Sequence, residues 1–216
     1  MVTSSTLPDI DYYNYLCDRT PGEDDFLRKL VRASGDAQIP PAWIAPEQGS
    51  FLQILLKLAR AKEVVEIGTL TGYAAIWMAR ALPPEGRVRT IEINAKYADF
   101  AEKWIGQSDV ARKIEVIRGD AKQVLPTIAG ESVDAVLVDA DKASYPLFLR
   151  ESLRILRKGG LLLVDNAFAF GLLFDEMPMR KDVAPIRSFN NLMGKTPGHH
   201  SIIVPLGDGC WVGVKE

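Results

Sequence analysis

Glu66, Glu92, Asp120, Asp139 and Asp165 stand one after another at or just beyond the ends of apolar runs, and Asn166 follows the last of them. Carboxylates gathered at one edge repel each other unless cations sit among them, so the pattern points to cationic partners. Two of these ends have the chemistry of metal ligands. Val138-Asp139-Ala140-Asp141-Lys142 and Val164-Asp165-Asn166 offer carboxylate and amide oxygens with no His or Cys beside them. Hard oxygen donors of this kind suit Mg²⁺, Mn²⁺ or Ca²⁺ rather than zinc, and three protein oxygens leave positions for water and substrate. Taken alone, Asp165-Asn166 also reads as an ordinary Asx turn.

A second constellation lies upstream. Val64-Val65-Glu66-Ile67-Gly68-Thr69-Leu70-Thr71-Gly72-Tyr73 reads as a strand entering a glycine turn and a helix, and Thr90-Ile91-Glu92-Ile93 as the next strand, closing on an acid. A glycine turn admits a ligand close to the backbone, and the acid can accept both hydroxyls of a ribose, which predicts a nucleoside-containing cofactor. The glycines lack the Gly-x-Gly-x-x-Gly spacing of a dinucleotide site, no triphosphate loop is present, and Glu66 would repel a phosphate. A cationic ligand such as S-adenosylmethionine, with its ammonium and sulfonium, suits the turn better. An ordinary strand-to-helix turn is the plain alternative.

These residues need a scaffold that brings strand ends together. Strands are expected over 63–67, 87–93, 114–118, 135–139 and 160–165, with helices over 73–81, 95–105, 122–125 and 145–156 between them, and this alternation specifies a parallel, doubly wound sheet. Residues 201–206 and 210–214 are two further strands, joined by Gly207-Asp208-Gly209 as a hairpin. The expected fold is therefore α/β: one domain, 1–216, with a mostly parallel seven-stranded sheet ending in an antiparallel hairpin strand. Helices over 11–17, 24–33 and 46–59 precede it, and residues 1–45 form a helical extension serving the substrate and dimer region. Open sheets of this class bind ligands outside the carboxyl ends of their strands.

Composition narrows the partners. The chain has 216 residues, 47% of them apolar, and a net charge of −2, which argues against a groove that neutralises nucleic-acid phosphates. No apolar run approaches ~20 residues, so no membrane span is expected. Residues 1–5 lack the basic and apolar regions of a signal peptide. Cys17 and Cys210 lie at opposite ends of the chain and read as reduced thiols of a cytoplasmic protein. His199 and His200 would face opposite sides of a strand, against a shared metal site.

In order along the chain come Glu-Ile-Gly-x-x-x-Gly-Tyr, the strand-end Glu92, Gly119-Asp120-Ala121, Val-Asp-Ala-Asp-Lys-x-x-Tyr, Gly-Gly-x-x-x-x-Asp-Asn, Phe189-Asn190 and Pro-Leu-Gly-Asp-Gly. From Pro40 to the C-terminus this set resembles the cation-dependent O-methyltransferases of the catechol and caffeoyl-CoA type. The resemblance implies a class I, Rossmann-like methyltransferase that transfers a methyl group from S-adenosylmethionine to a hydroxyl of a catechol-like aromatic small molecule, and a homodimer. It makes Asp139, Asp165 and Asn166 the ligands of a divalent cation, Mg²⁺ first among them, and Lys142 the catalytic residue. Glu92 would bind the ribose, Gly68 would lie against the cofactor, and Glu66 and Asp139 would face its amino-acid end. Asp120 and Ala121 would border the adenine, with Ile44, Gly72, Tyr73, Ala74 and Ile93 completing the cofactor set. The acceptor would meet Trp43, Asp141, Lys142, Asn166 and Phe168.

The chain departs from the family pattern in places. Ala74 stands where a Ser commonly contacts the methionine carboxylate, and Ala42 and Ile44 stand where Met and Thr are frequent. Trp43 reads either as an aromatic wall over the site or as packing. The apolar run 167–174 reads either as a substrate lid or as a dimer interface. Alternative functions are a different methyl acceptor, such as a non-aromatic vicinal diol, or a non-catalytic S-adenosylmethionine-binding regulator. Lys142, Asp139, Asp165 and Asn166 argue against the regulator, since binding alone needs no metal with open positions.

Overall fold

A computed structural model describes residues 10–216; the leader reading of residues 1–5 lies outside the described residues. The apolar runs form β1 (Glu63–Ile67), β2 (Arg87–Glu92), β3 (Ile114–Arg118), β4 (Val133–Val138), β5 (Leu156–Val164), β6 (His199–Val204) and β7 (Cys210–Lys215). They make one seven-stranded sheet in the order β3-β2-β1-β4-β5-β7-β6. The strands β1 to β5 pair in parallel, and β7 runs antiparallel between β5 and β6. The order reverses at β1, whose neighbours are β2 on one side and β4 on the other, and this switch point opens a crevice at the strands' carboxyl ends.

The period of two in each strand splits the core between the two faces of the sheet. Val64, Ala135, Leu137, Leu161 and Leu163 pack against Leu52 and Leu56 of α3 (Pro46–Leu58) and Ala75, Ile76 and Met78 of α4 (Tyr73–Ala81). Val65, Ile67, Val136, Val138, Leu162 and Val164 pack on the other face against Tyr145, Phe148 and Leu149 of α7 (Tyr145–Ile155). Burial on both faces explains why the central strands read as unbroken apolar runs. Helix starts carry their expected signals: Pro46 opens α3, and the Asn94 side chain accepts from the N–H groups of Lys96 and Tyr97 at the start of α5 (Ala95–Ile105).

Three features differ from the expected elements. β5 begins at Leu156, because Leu156 pairs with Val133 before the register shifts ahead of Ala135. The α6 helix (Ala121–Val124) has the expected single turn, while β6 runs two residues earlier than expected, over His199–Val204. A helix absent from the sequence expectation, α8 (Val183–Met193), buries Val183, Ile186, Phe189 and Met193. Its helical spacing was present in the sequence, masked by the apolar run before it and by Pro185 in its first turn.

At the N-terminal side, α2 (Asp25–Asp36) buries Leu27 and Leu30 in the core of the sheet's first face, and α1 (Ile10–Cys17) is tied to α3 by the Tyr13 hydroxyl, which donates to Glu47 Oε1 at 3.1 Å. The Tyr73 hydroxyl donates to Glu23 Oε1 at 2.9 Å, which ties the segment before α2 to α4. Cys17 and Cys210 are free thiols. Among the described residues no helix is long and apolar enough to cross a membrane.

Gly68 joins the fold to the site. Its φ is +100°, and an added Cβ would overlap the backbone carbonyl oxygen of Asp139, so the ends of β1 and β4 approach only because no side chain intervenes. Gly68→Ala is expected to destabilise the protein by about 2–5 kcal/mol, read as the shift of a urea unfolding midpoint. A midpoint unchanged from the parent protein would refute this close approach.

Candidate active site

A cavity of about 780 Å³ lies across the carboxyl ends of β1, β2, β4 and β5. Its walls include Glu66, Glu92, Asp120, Asp139 and Asp165, so the five expected acids share one space. The glycine turn forms the floor at one end. Glu92 Oε2 accepts from the backbone N–H groups of Thr69 (3.2 Å) and Leu70 (2.9 Å), and Oε1 accepts from Asn94 N–H (2.8 Å). Oε1 keeps a second lone pair for a ligand hydroxyl, whereas Oε2 already accepts twice. Asp120 accepts from Lys122 N–H at 2.9 Å and caps α6, with Ala121 beside it in the wall.

Glu66 is fully buried, and its Oε2 has no hydrogen-bond partner. Burial, then the charges of Asp139 and Glu92, push its pKa up from 4.5 to about 8. A carboxyl favoured in its protonated form contributes stability at low pH that is lost as pH rises from about 4.5 through about 8. Glu66→Gln cannot ionise and loses that slope. In thermal or urea unfolding of the ligand-free protein, its advantage over the parent should grow between pH 5 and pH 8.5 by on the order of 4 kcal/mol. Parallel stability curves for the two proteins would contradict the burial argument.

Asp139 follows β4 and Asp165 follows β5, the neighbouring parallel strand, and both line the cavity. The Lys142 ammonium donates to Asp139 Oδ1 at 2.9 Å and to the Tyr145 hydroxyl at 2.6 Å. Tyr145, edge-on against Phe189 at 5.1 Å, donates in turn to the Asp165 backbone carbonyl at 3.4 Å. Burial, then Asp139 and Asp165, hold the Tyr145 hydroxyl well above its ordinary pKa, so the phenol keeps the proton it donates. Asp165 Oδ1 accepts from Gln48 Nε2 at 2.6 Å; burial and then the charge of Asp139 push its carboxyl up to about 7. Asn166 has φ +65° and donates Nδ2 to Asp208 at 3.1 Å, which leaves Oδ1 for another partner.

Among the described residues no three His, Cys, Asp or Glu side chains converge as a metal cluster. The donor set here is two carboxylates and one amide, an all-oxygen set that could hold a hard divalent cation, whose charge would relieve the repulsion between Asp139 and Asp165. The remaining expected residues divide plainly. Ile44, Tyr73, Ala74 and Ile93 line the cavity, as do Trp43 and Asp141. Trp43 also packs against Tyr73, ring centroids 6.4 Å apart, so the wall and packing readings hold together. The Asp141 carboxylate accepts from Ala143 N–H and the Ser144 hydroxyl and so caps the turn that carries Lys142.

Gly72 and Phe168 are not in the cavity wall. Gly72, at φ +80°, starts α4 and faces Ile105, where a Cβ would lie 3.0 Å from the side chain. Phe168 turns its ring onto Gly209, which puts Phe170 into the wall in its place. The apolar run thus divides: Ala169 is core, Phe170 faces the cavity, and Phe174 is 91% exposed. Sequence reasoning missed Gln48, Tyr145, Arg180 and Asp208, and offered Phe170 only as part of the apolar run 167–174. Tyr145 and Asp208 were signalled by the Lys-x-x-Tyr and Gly-Asp-Gly motifs; Gln48 reaches Asp165 from 117 positions away and carried no signal.

The sequence profile described as O-methyltransferase matches residues 18–216. A catechol O-methyltransferase of Niastella koreensis is 35% identical over 94% of this chain and 91% of its own length. A catechol O-methyltransferase of Mycobacterium tuberculosis is 36% identical over 95% of this chain and 93% of its own length. The solved O-methyltransferase of Bacillus cereus, in complex with SAH, superposes with a TM-score of 0.84 at 30% identity, covering 94% of this chain and 96% of that one. With a matching profile across nearly all of its length and this strand order around the site, the chain belongs to the O-methyltransferase family.

Proposed function

We propose that the protein is an S-adenosylmethionine-dependent, divalent-cation-dependent O-methyltransferase acting on a catechol-like aromatic small molecule. The observation that carries this reading is the position of Lys142: its Nζ lies 2.9 Å from Asp139 Oδ1, in the cavity that Glu92 and the glycine turn also line. A methyl donor and a methyl acceptor can therefore be held side by side. The complex of the Bacillus cereus relative with SAH supports the cofactor.

Glu92 and the backbone of Gly68 orient the nucleoside, and the acids Glu66 and Asp139 suit the ammonium of its amino-acid end. Trp43 and Phe170 offer apolar walls for an aromatic ring. A divalent cation held by the oxygens of Asp139, Asp165 and Asn166 would lower the pKa of a chelated hydroxyl and fix its place. Lys142 would take the hydroxyl proton at Nζ, the neighbouring cation and burial disfavouring its ammonium form. Bound there, S-adenosylmethionine would supply the methyl group: the freed oxygen would attack its methyl carbon in line, the carbon–oxygen bond forming as the carbon–sulfur bond breaks and the neutral thioether leaves, with positioning supplying the rest of the catalysis.

The test is methyl transfer from labelled S-adenosylmethionine to a panel of 3,4-dihydroxylated aromatics, each run with Mg²⁺ and again with EDTA. Methylation that EDTA abolishes is the expected result. Cofactor binding without methylation of any panel member would overturn the catechol reading, and methylation unaffected by EDTA would overturn the metal.

A further inference from the structure

The turn joining β6 to β7, Pro205-Leu206-Gly207-Asp208-Gly209, lies against the loop that follows β5. Backbone bonds pin the two together: Ala167 N–H donates to Gly209 O (2.8 Å) and Phe168 N–H to Asp208 O (2.9 Å). The Asp208 side chain adds three more. Its Oδ2 accepts from Asn166 Nδ2 (3.1 Å) and Phe170 N–H (2.7 Å), and its Oδ1 accepts from Gly171 N–H (3.2 Å).

Asn166, Ala169 and Phe170 all hold positive φ, +65°, +55° and +61°, a conformation that residues with side chains disfavour. Successive left-handed residues turn their N–H groups into one concavity that suits an anion, and the Asp208 carboxylate fills it. A carboxylate only accepts hydrogen bonds, so the Asn166 amide must present its NH₂ to Asp208 and its oxygen to the opposite side. The same carboxylate sets the backbone of Phe170, whose ring lines the cavity and carries the Arg180 guanidinium 3.5 Å from its centroid.

We infer that Asp208 is a positioning residue for the proposed cation site and the acceptor wall together: it orients Asn166 so that Oδ1 faces Asp139 and Asp165, and it holds Phe170 in the wall. The inference rests on the cation-site reading above. It needs no contact between Asp208 and the cation. Partners that orient metal ligands in this way typically carry 10–100-fold in metal affinity.

The experiment is Mn²⁺ titration of the cofactor-free protein, with free Mn²⁺ followed by electron paramagnetic resonance, alongside amide hydrogen exchange at Phe170 and Gly171 without metal. Asp208→Ala should weaken Mn²⁺ binding about 10–100-fold and speed exchange at both amides. Asp208→Asn keeps the size and one acceptor oxygen, and should fall between the two proteins. A fall in melting temperature with Mn²⁺ affinity unchanged overturns the inference, since a loop-packing role alone would do that. A parent protein that binds no Mn²⁺ overturns the cation-site reading itself, and this inference with it.

Discussion

Lys142→Ala is expected to lower the turnover number by about 10²–10⁴-fold while leaving cofactor affinity nearly unchanged. The Nζ atom is held by Asp139 and Tyr145, not by Glu92 or the backbone of the glycine turn that would hold the nucleoside. Removing it takes away the proton acceptor and no cofactor contact. Lys142→Arg should restore little, because a guanidinium stays protonated and its planar fork does not fit the place of a compact amine. Steady-state kinetics with saturating acceptor, paired with calorimetric titration of the cofactor, separates the two effects. Turnover within a few-fold of the parent would remove Lys142 from the proton transfer.

The second large effect belongs to Asp165. Asp165→Ala should abolish stimulation by Mg²⁺, again with cofactor binding retained, because the variant leaves Asp139 as the sole carboxylate of the donor set. The fold should survive the change. Gln48 Nε2 loses its acceptor, at about 1–3 kcal/mol, but the parent carboxyl, pushed up to about 7 by burial and by Asp139, is itself unfavourable when ionised without a cation. Rates measured across a Mg²⁺ series, with EDTA as the zero point, decide the matter. A stimulation curve unchanged from the parent would show that Asp165 is not a ligand.

Local chemistry was the legible part of the site. The turn from Glu66 to Tyr73 is written in consecutive residues: an apolar strand, a glycine where φ must be +100°, and a second glycine that starts the helix. Asp139 and Lys142 are likewise three positions apart, a spacing that lets one short turn deliver both to the cavity. The run after Asn166 was not legible in the same way. Its left-handed residues include Ala169 and Phe170, which no local preference would place there, so the sequence could not tell that Phe168 packs on the hairpin while Phe170 faces the cavity.

The sequence by itself determined the layered α/β fold, the acids at the strand ends and the spacing of Lys142, because these depend on side-chain period, on turn chemistry and on neighbours within a few residues. Only the tertiary structure decided that Gln48 meets Asp165 and that Asp208 meets Asn166, Phe170 and Gly171. The first pairing needs α3 beside the end of β5, and the second needs β7 inserted between β5 and β6. Strand order is set by how the whole core closes, and no stretch of the chain carries that information locally.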